Sequence, residues 1–340
     1  MPEFANIPFR VPELLEHGRS FYIYRIAGTE SIEYGVGHSV PGLHEGGFVV
    51  APFDLENGIV ETILSESLTI TSGPCVEKQK ISPFPSVSTP REFHSEGVDS
   101  ISSYHRRHGG KTVLSRVILF DFSDYSLENV FYDLSVACPE ATVFCFFTPY
   151  SGCWIGATPE ELLSCHDGIF STMALAGTRP AGTEEEWDKK NQEEQQLVTD
   201  FIMEALAPFS PSAGERVTRL AGPVEHLCTP VTAHADPTID LMPLIRVLSP
   251  TPALCGSDRH ISMRLIRKWE MHSRGHYGGF FGPFRNSADF DFFVNLRSIR
   301  VESGRAALFV GGGITQMSDP TDEWLETERK AYSILRVMDR

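Results

Sequence analysis

The segments of this chain that look like β-strands come in runs, and that ordering restricts the fold more than any other feature. FYIYRI, GGFVVAPF and IVETIL fall within residues 20–70 and are punctuated by glycine. KTVLSRVILF, VFCFFTP, CWIGATP and GIFSTMALAG follow between residues 111 and 177, and FFVNLRSIRVE and AALFVGGGI lie near the C-terminus. Helical signals are grouped between these runs. A short helix is expected over Asp99–His108, stopped by Gly109–Gly110, and a long one over 184–207. Residues 82–98, SPFPSVSTPREFHSEGV, read as a linker. Regular βαβ alternation would mean a doubly wound parallel sheet, whereas runs of strands mean an α+β fold with large antiparallel sheets. The 340 residues suffice for one large domain or two ordinary ones, and no internal repeat divides them.

The net charge of −16 argues against a nucleic-acid partner, which needs a basic surface. An anionic substrate would have to be held by local cations or a metal, against the overall field. No apolar run is long enough to span a membrane. The N-terminus MPEFANIPFRVPELLEHG lacks the basic and apolar regions of a signal peptide. The seven cysteines form no C-x-x-C pair, and contexts such as VFCFF read as buried reduced thiols. A cytoplasmic protein is therefore expected. A nucleophilic cysteine has no local signature to support it.

The densest chemistry lies in residues 311–330, GGGITQMSDPTDEWLETERK. A glycine-rich turn is expected to end a strand there, and a helix to follow, with Asp319 as its cap and Pro320 in its first turn. Glu323, Glu326 and Lys330 then share an arc of about 60° on one helix face. The Gly311–Gly312–Gly313 run lets backbone N–H groups approach an anion. Together these groups suggest a carboxylate substrate bridged by Mg²⁺. The alternative is a capped surface helix with i,i+4 ion pairs. In the 184–207 helix, Leu197, Val198, Phe201, Ile202 and Ala205 form an apolar stripe, with Glu194 along its centre. A buried carboxylate needs a partner, either Lys190 one turn earlier or a metal. Lys111 opens an apolar strand, as a snorkelling edge charge or, if desolvated, as a base. Glu160, in GATPEELL, is either an exposed turn carboxylate or a general acid with a raised pKa.

Taken in order, the motifs form a recognisable string. They are KTVLSR (111–116), GATPEELL (156–163), ALAGTR (174–179), K-x-x-x-E from Lys190, VEHLCT (224–229) and LSPTPALCG (248–256), then E-x-x-x-R-G-x-Y-G-G (270–279), VNLR (294–297) and the 311–330 stretch. The chain resembles the chorismate-utilising enzymes: isochorismate synthases, salicylate synthases, and the large subunits of anthranilate and aminodeoxychorismate synthases. The resemblance implies a sandwich of two large antiparallel sheets with helices packed outside and the site at one edge between them. Residues 1–90 would be a β-rich N-terminal portion of the same fold and 100–335 the catalytic region. It further implies that Glu194 and Glu326 ligate Mg²⁺, with Glu323 supporting the metal or its waters. Lys330 and the Gly311–Gly313 backbone would cradle the ring carboxylate of chorismate. Tyr277 and Arg297 would hold the enolpyruvyl carboxylate, and Thr178 would lie near the reacting centre.

Lys111 and Glu160 match the water-using branch, in which the lysine activates water to attack C2 and the glutamate protonates the departing C4 hydroxyl. Ammonia-using relatives typically lack this lysine, and the aminodeoxychorismate branch often has lysine where Ala176 stands. The resemblance thus points to an isochorismate synthase serving menaquinone or siderophore biosynthesis, acting as a monomer without a glutaminase subunit. A salicylate synthase, an aminating synthase subunit and a non-enzymatic chorismate-binding protein are the alternatives. Gln195 and Ser249 depart from the pattern, since many relatives carry histidine at both. The turn is GGG where GAG is usual, and the N-terminal portion is short for the family.

Overall fold

The computed structural model describes residues 10–65, 82–221, 224–236 and 238–338. Cys75 and residues 1–9 lie outside them. Sixteen strands join one sheet: β1 Ser20–Arg25, β2 Glu33–Pro41, β3 Gly47–Ala51, β4 Glu61–Ser65, β5 Thr112–Asp121, β6 Thr142–Thr148, β7 Gly152–Thr158, β8 Glu161–His166, β9 Ile169–Pro180, β10 Ser212–Ala213, β11 Val217–Ala221, β12 Val224–His234, β13 Phe280–Asn286, β14 Asp289–Val294, β15 Ser298–Glu302 and β16 Arg305–Ile314. The helices are α1 Val11–Glu16, α2 Arg91–His108, α3 Leu127–Ala137, α4 Lys189–Ala205, α5 Leu241–Leu248, α6 Arg259–Trp269 and α7 Pro320–Met338. The strand order is β10-β12-β9-β8-β14-β13-β3-β4-β2-β1-β6-β7-β15-β16-β5, with β11 paired to β12.

This ribbon folds over on itself. Phe144 on β6 and Phe281 on β13 have ring centroids 4.0 Å apart, although their strands are five positions apart in the order. A flat sheet would separate them by about 24 Å. The two layers implied by the family resemblance are thus two halves of one hydrogen-bonded sheet, joined through β3, β4, β2 and β1.

Period-2 alternation then sorts side chains between cores. Phe144, Phe146, Ala307, Phe309, Phe48, Val50 and Phe281 fill the space between the layers. Their neighbours Val143, Cys145, Ala306, Leu308 and Val310 face outward under α1, α3 and α7. Val49, Ala51 and Phe280 face outward on the other side, in the core that includes residues of α4, α5 and α6. Burial on both faces explains why VFCFF and AALFV read as continuous apolar runs.

Four sequence expectations are corrected. The linker ends at Pro90, because residues 91–98 are the first turns of α2, where His94, Gly97 and Val98 are buried. Gly97 permits that packing, since a methyl there would lie 3.1 Å from Leu114 Cδ2. The long helix begins at Lys189, capped by Asp188, whose side chain accepts from the Asn191 N–H. FFVNLRSIRVE breaks into β14 and β15 around Arg297, which has φ 49°. Gly311–Gly313 form no turn: they lie within β16, paired with Ser115, Leu114 and Val113 of β5. No helix among the described residues is long and apolar enough to cross a membrane.

Candidate active site

Antiparallel pairing brings the chemistry to one end of the sheet. The C-terminal end of β7, the N-terminal end of β15, the C-terminal end of β16 and the N-terminal end of β5 are adjacent. Glu160, Arg297, Gly311–Gly313 and Lys111 therefore share one rim. In the facing half, the C-terminal end of β9 and the N-terminal end of β12 pair, which places Thr178 near His226. Glu160 and Arg297 lie on the two connections, β7 to β8 and β14 to β15, where the chain crosses between layers. Among them they line a cavity that also takes in Ala176, Glu194, Leu254, Tyr277, Glu326 and Lys330.

Three carboxylates enter this region, each paired with a lysine. Lys111 Nζ donates to Glu194 Oε1 at 2.5 Å, Lys190 to Glu323 Oε1 at 3.1 Å, and Lys330 to Glu326 Oε1 at 2.7 Å. Glu194 is thus paired, but with Lys111 and not with Lys190. Nor does Glu194 lie along the centre of the buried stripe of α4. The buried residues there are Gln195, Val198, Thr199 and Ile202, while Leu197 is exposed. The stripe is turned about 90° from Glu194, which faces the cavity from its border.

Glu323 sits behind Gly312 and is almost fully buried, and among the described residues its Oε2 is left without a direct hydrogen bond. Burial and the neighbouring Glu326 push its carboxyl above the ordinary range, partly offset by Lys190. Glu326 is pushed up by burial too, but Lys330, with Lys190 and Lys111 beyond it, holds it below its ordinary value. A methyl on Gly312 would lie 3.1 Å from Glu323 Oε2 and 3.7 Å from Glu326 Oε1. One on Gly313 would lie 2.9 Å from Glu194 Oε1. Glu323 and Glu326 thus lie beside Gly312, while the space beside Gly313 is taken by Lys111, whose Cε would be 2.5 Å from a methyl there, with Glu194 next to it. Among the described residues these carboxylates are not grouped closely enough to hold a metal ion as they stand; each is held by a lysine instead.

Glu160 is different. It is buried, and loss of water raises its carboxyl to about 8, despite the lowering effect of Lys111, Arg297 and Lys330. At neutral pH it is mostly protonated and can donate.

On the other wall, Arg297 donates from one nitrogen to the Ala221 carbonyl at 3.0 Å and from another to His226 Nε2 at 2.8 Å. Because guanidinium only donates, His226 Nε2 accepts, and Nδ1–H points to the Gly177 carbonyl, 2.8 Å away. Burial and Arg297 lower the His226 pKa to about 3, so the ring is neutral. The Thr178 hydroxyl is 3.2 Å from the same Nδ1, and its backbone N–H is fixed by Asn191. Burial lowers Arg297 itself to about 10, which leaves it charged at neutral pH.

Tyr277 stacks on Phe309 at 5.3 Å and turns its hydroxyl toward Gly311, whose carbonyl accepts from Lys330 at 2.9 Å. The pairing of β15 with β16 reaches Leu308, so Gly311–Gly313 present one backbone edge to the cavity.

Gln195 points away from the cavity. Its amide donates to Thr199, Thr229 and the Ala174 carbonyl. Ser249 is likewise absent from the cavity wall; it precedes a cis proline by a separate groove. Two contributors had no role assigned from sequence. His226 lay within VEHLCT, and its only signal was a histidine in an apolar strand. Asn191 carried no signal at all.

The rim of this antiparallel sandwich thus holds a cavity lined by Lys111, Arg297 and Lys330 and by Glu160, Glu194 and Glu326. The chain belongs to the chorismate binding enzymes, whose family model matches residues 59–339. It is 33% identical over 252 residues to the salicylate biosynthesis isochorismate synthase of Pseudomonas aeruginosa, covering 70% of this chain and 52% of that one. It is 31% identical over 243 residues to isochorismate synthase MenF of Bacillus subtilis, covering 67% and 51%. The chain thus spans about half the length of the curated relatives it matches. Its fold is that of MenF, the menaquinone-specific isochorismate synthase from Escherichia coli, with a TM-score of 0.78 at 18% identity, covering 97% of this chain and 91% of that one.

Proposed function

We propose that this protein is a Mg²⁺-dependent isochorismate synthase. The observation that carries the reading is that Glu160, whose carboxyl burial pushes up to about 8, and Lys111 line the same cavity. These are the acid and the base that a displacement of hydroxyl by water requires. In this reading Lys111 takes a proton from water as its oxygen bonds to C2 of chorismate. The ring double bonds shift, and Glu160 gives its proton to the C4 hydroxyl, which leaves as water. One water enters and one leaves, so the product is an isomer. Arg297, held flat by His226 and the Ala221 carbonyl, and Tyr277 would orient the enolpyruvyl carboxylate. Lys330 and the open edge of Gly311–Gly313 would receive the ring carboxylate. Glu194, Glu326 and the orphaned oxygen of Glu323 would hold Mg²⁺, which would supply countercharge to a dianion in a chain of net charge −16.

Similarity to relatives named isochorismate synthase supports the reading. So does Ala176 in the cavity wall, where aminodeoxychorismate synthases often carry lysine. With water as nucleophile no glutaminase subunit is needed. Whether the product serves menaquinone or siderophore synthesis is set by the enzyme that consumes it. The test is to incubate purified protein with chorismate and Mg²⁺ and resolve the products by chromatography. Isochorismate formed reversibly without ammonia is expected. Salicylate with pyruvate as the main product, or anthranilate or aminodeoxychorismate formed only with ammonium salts, would overturn it.

A further inference from the structure

β5 is the last strand in the order, and no strand among the described residues covers its outer edge. Its inner edge pairs with β16, where Val113, Leu114 and Ser115 lie opposite Gly313, Gly312 and Gly311. The outward backbone groups of alternate residues need other partners. Val113 N–H donates to the Cys255 carbonyl at 2.8 Å, and Val117 both donates to and accepts from Thr89. Between them two charged side chains stand in for the missing strand. The Ser115 N–H donates to Glu270 Oε1 at 2.7 Å, and Arg274 donates to the Val113 carbonyl at 2.9 Å.

Glu270 and Arg274 are also bonded to each other, from Nε at 2.9 Å and Nη2 at 2.5 Å, with side chains only 1% and 3% exposed. Burial alone would raise the Glu270 carboxyl, but Arg274, His272 and the Ser115 N–H hold it below its ordinary value, so it is ionised. Arg274 donates from a further nitrogen to the Leu254 carbonyl at 2.8 Å. Val113 and Leu254 both line the cavity. The Arg274 carbonyl accepts from the Tyr277 N–H at 2.9 Å. A methyl on Gly311 would lie 3.3 Å from both Ser115 Cβ and the Tyr277 hydroxyl. The pair therefore ties together β5, the Leu254 segment and the turn that carries Tyr277.

Burying two charges is costly, and a well-packed apolar pair would hold a core as well or better. What an apolar pair cannot do is bond the edge of a strand. That matters opposite three glycines, which have no side chains to lock them and take their position from the ladder with β5. We propose that Glu270 and Arg274 are positioning residues for the substrate: they hold β5 and the Tyr277 turn so that the Gly311–Gly313 edge and Tyr277 meet the two carboxylates of chorismate. This rests on reading the cavity as a chorismate site. Lys111 is anchored apart from them, its backbone N–H donating to the Ser257 hydroxyl at 2.9 Å and its carbonyl accepting from the Ser257 N–H at 3.0 Å. Disturbing the pair should therefore weaken substrate binding more than the chemical step.

The experiment measures chorismate KM and kcat, equilibrium chorismate binding and thermal melting of the full chain for wild type, Glu270→Gln, Arg274→Lys and Phe131→Leu. Kinetics and binding are read well below every melting temperature, and two substitutions in the pair guard against one failing to fold. Glu270→Gln keeps the shape but loses the charge. Arg274→Lys keeps the charge but cannot span Glu270, Val113 and Leu254 at once. Phe131→Leu thins the core beneath α3, away from the cavity, and reports a loss of stability alone. Each variant of the pair should raise KM and the dissociation constant about tenfold, the size of one charge-assisted hydrogen bond, with kcat within about threefold. Phe131→Leu should melt lower with KM unchanged. Lower melting with unchanged chorismate binding in both variants of the pair would overturn the proposal, as would a loss carried by kcat with KM unchanged. Absence of chorismate binding by wild type would overturn the chorismate reading along with it.

Discussion

Glu160 and Glu326 line the same cavity, yet their surroundings drive them to opposite ionisation states. Burial raises both. At Glu326 a lysine in contact at 2.7 Å more than offsets it, and the carboxyl stays below its ordinary value. At Glu160 the same kinds of cation, Lys111, Arg297 and Lys330, act without a described hydrogen bond, and burial wins, raising the carboxyl to about 8. A hydrogen-bonded cation outweighs burial at Glu326, but not at Glu323, where the neighbouring carboxylate adds to burial against Lys190. Glu326 is thereby suited to hold cations and Glu160 to give up a proton.

The largest effects should come from breaking that division of labour. Glu160→Gln keeps the shape but has no proton to donate, and isochorismate formation should fall by about 10²–10⁴. Lys111→Ala should lose as much while still binding chorismate, and Lys111→Arg should not rescue it, since guanidinium stays protonated. In wild type, kcat/KM should decline as pH rises through about 8, where Glu160 loses its proton. A Glu160→Gln enzyme with near-normal rate would return this residue to a merely buried carboxyl. Arg297→Ala should act one step lower, weakening chorismate binding by about 10–100-fold with a smaller change in kcat, because its role is anchorage. Equilibrium binding of chorismate to each variant separates the two classes.

Stability sharpens the comparison further. Folding raises the Glu160 pKa from 4.5 to about 8, so the folded state holds that proton more tightly. Its stabilising contribution is full below about 4.5 and is lost as pH rises through about 8. Glu160→Gln does not titrate, so thermal melts should show the variant gaining on wild type between pH 5 and 9. Glu326 runs the other way. Its pKa is lowered on folding, so its contribution is present above its ordinary 4.5 and is lost as pH falls through the folded value. Glu326→Gln should cost about 1–2 kcal/mol at neutral pH, discounted because both partners are partly exposed, and little in acid. Equal pH dependence of the two variants would erase the distinction.

Local rules carried much of this site. The cap at Asp319, the shared face of Glu323, Glu326 and Lys330, and the strand before Glu160 follow from local pattern, and the structure has each of them, while the strand after it, Glu161–His166, was not expected. Partner choice did not follow. Lys190 is one turn from Glu194, but it reaches across to Glu323 on α7, while Lys111 arrives from β5, 83 residues away in sequence. Helix angles fix where a side chain points, but not which neighbouring element meets it. The glycine run allowed two readings, the end of the AALFVGGGI strand and a turn, and the ladder with β5 makes it strand throughout. His226 was hidden because its role depends on Arg297, which reaches it from a crossover that no short-range pattern reveals.

The smallest effect expected is at Gln195, and it tests whether the site ends where the cavity does. Many relatives carry histidine beside the metal glutamate, so the difference could have signalled altered chemistry. The geometry says otherwise. Gln195 follows Glu194 by about 100° of helix rotation, which carries it off the cavity and onto the strands beneath α4. There its amide satisfies Thr229 at 2.7 Å and Thr199 at 3.0 Å. An imidazole in its place can donate from one ring nitrogen, which leaves one of these hydroxyls without its donor. Gln195→His should therefore lower stability by about 1 kcal/mol. It should leave kcat, KM and the pH profile within about twofold of wild type, because no cavity-lining group moves. A large kinetic change with unaltered melting would mean that the polar layer under α4 tunes Glu194, and the boundary drawn around the three carboxylates would have to be extended to the second residue of that helix turn.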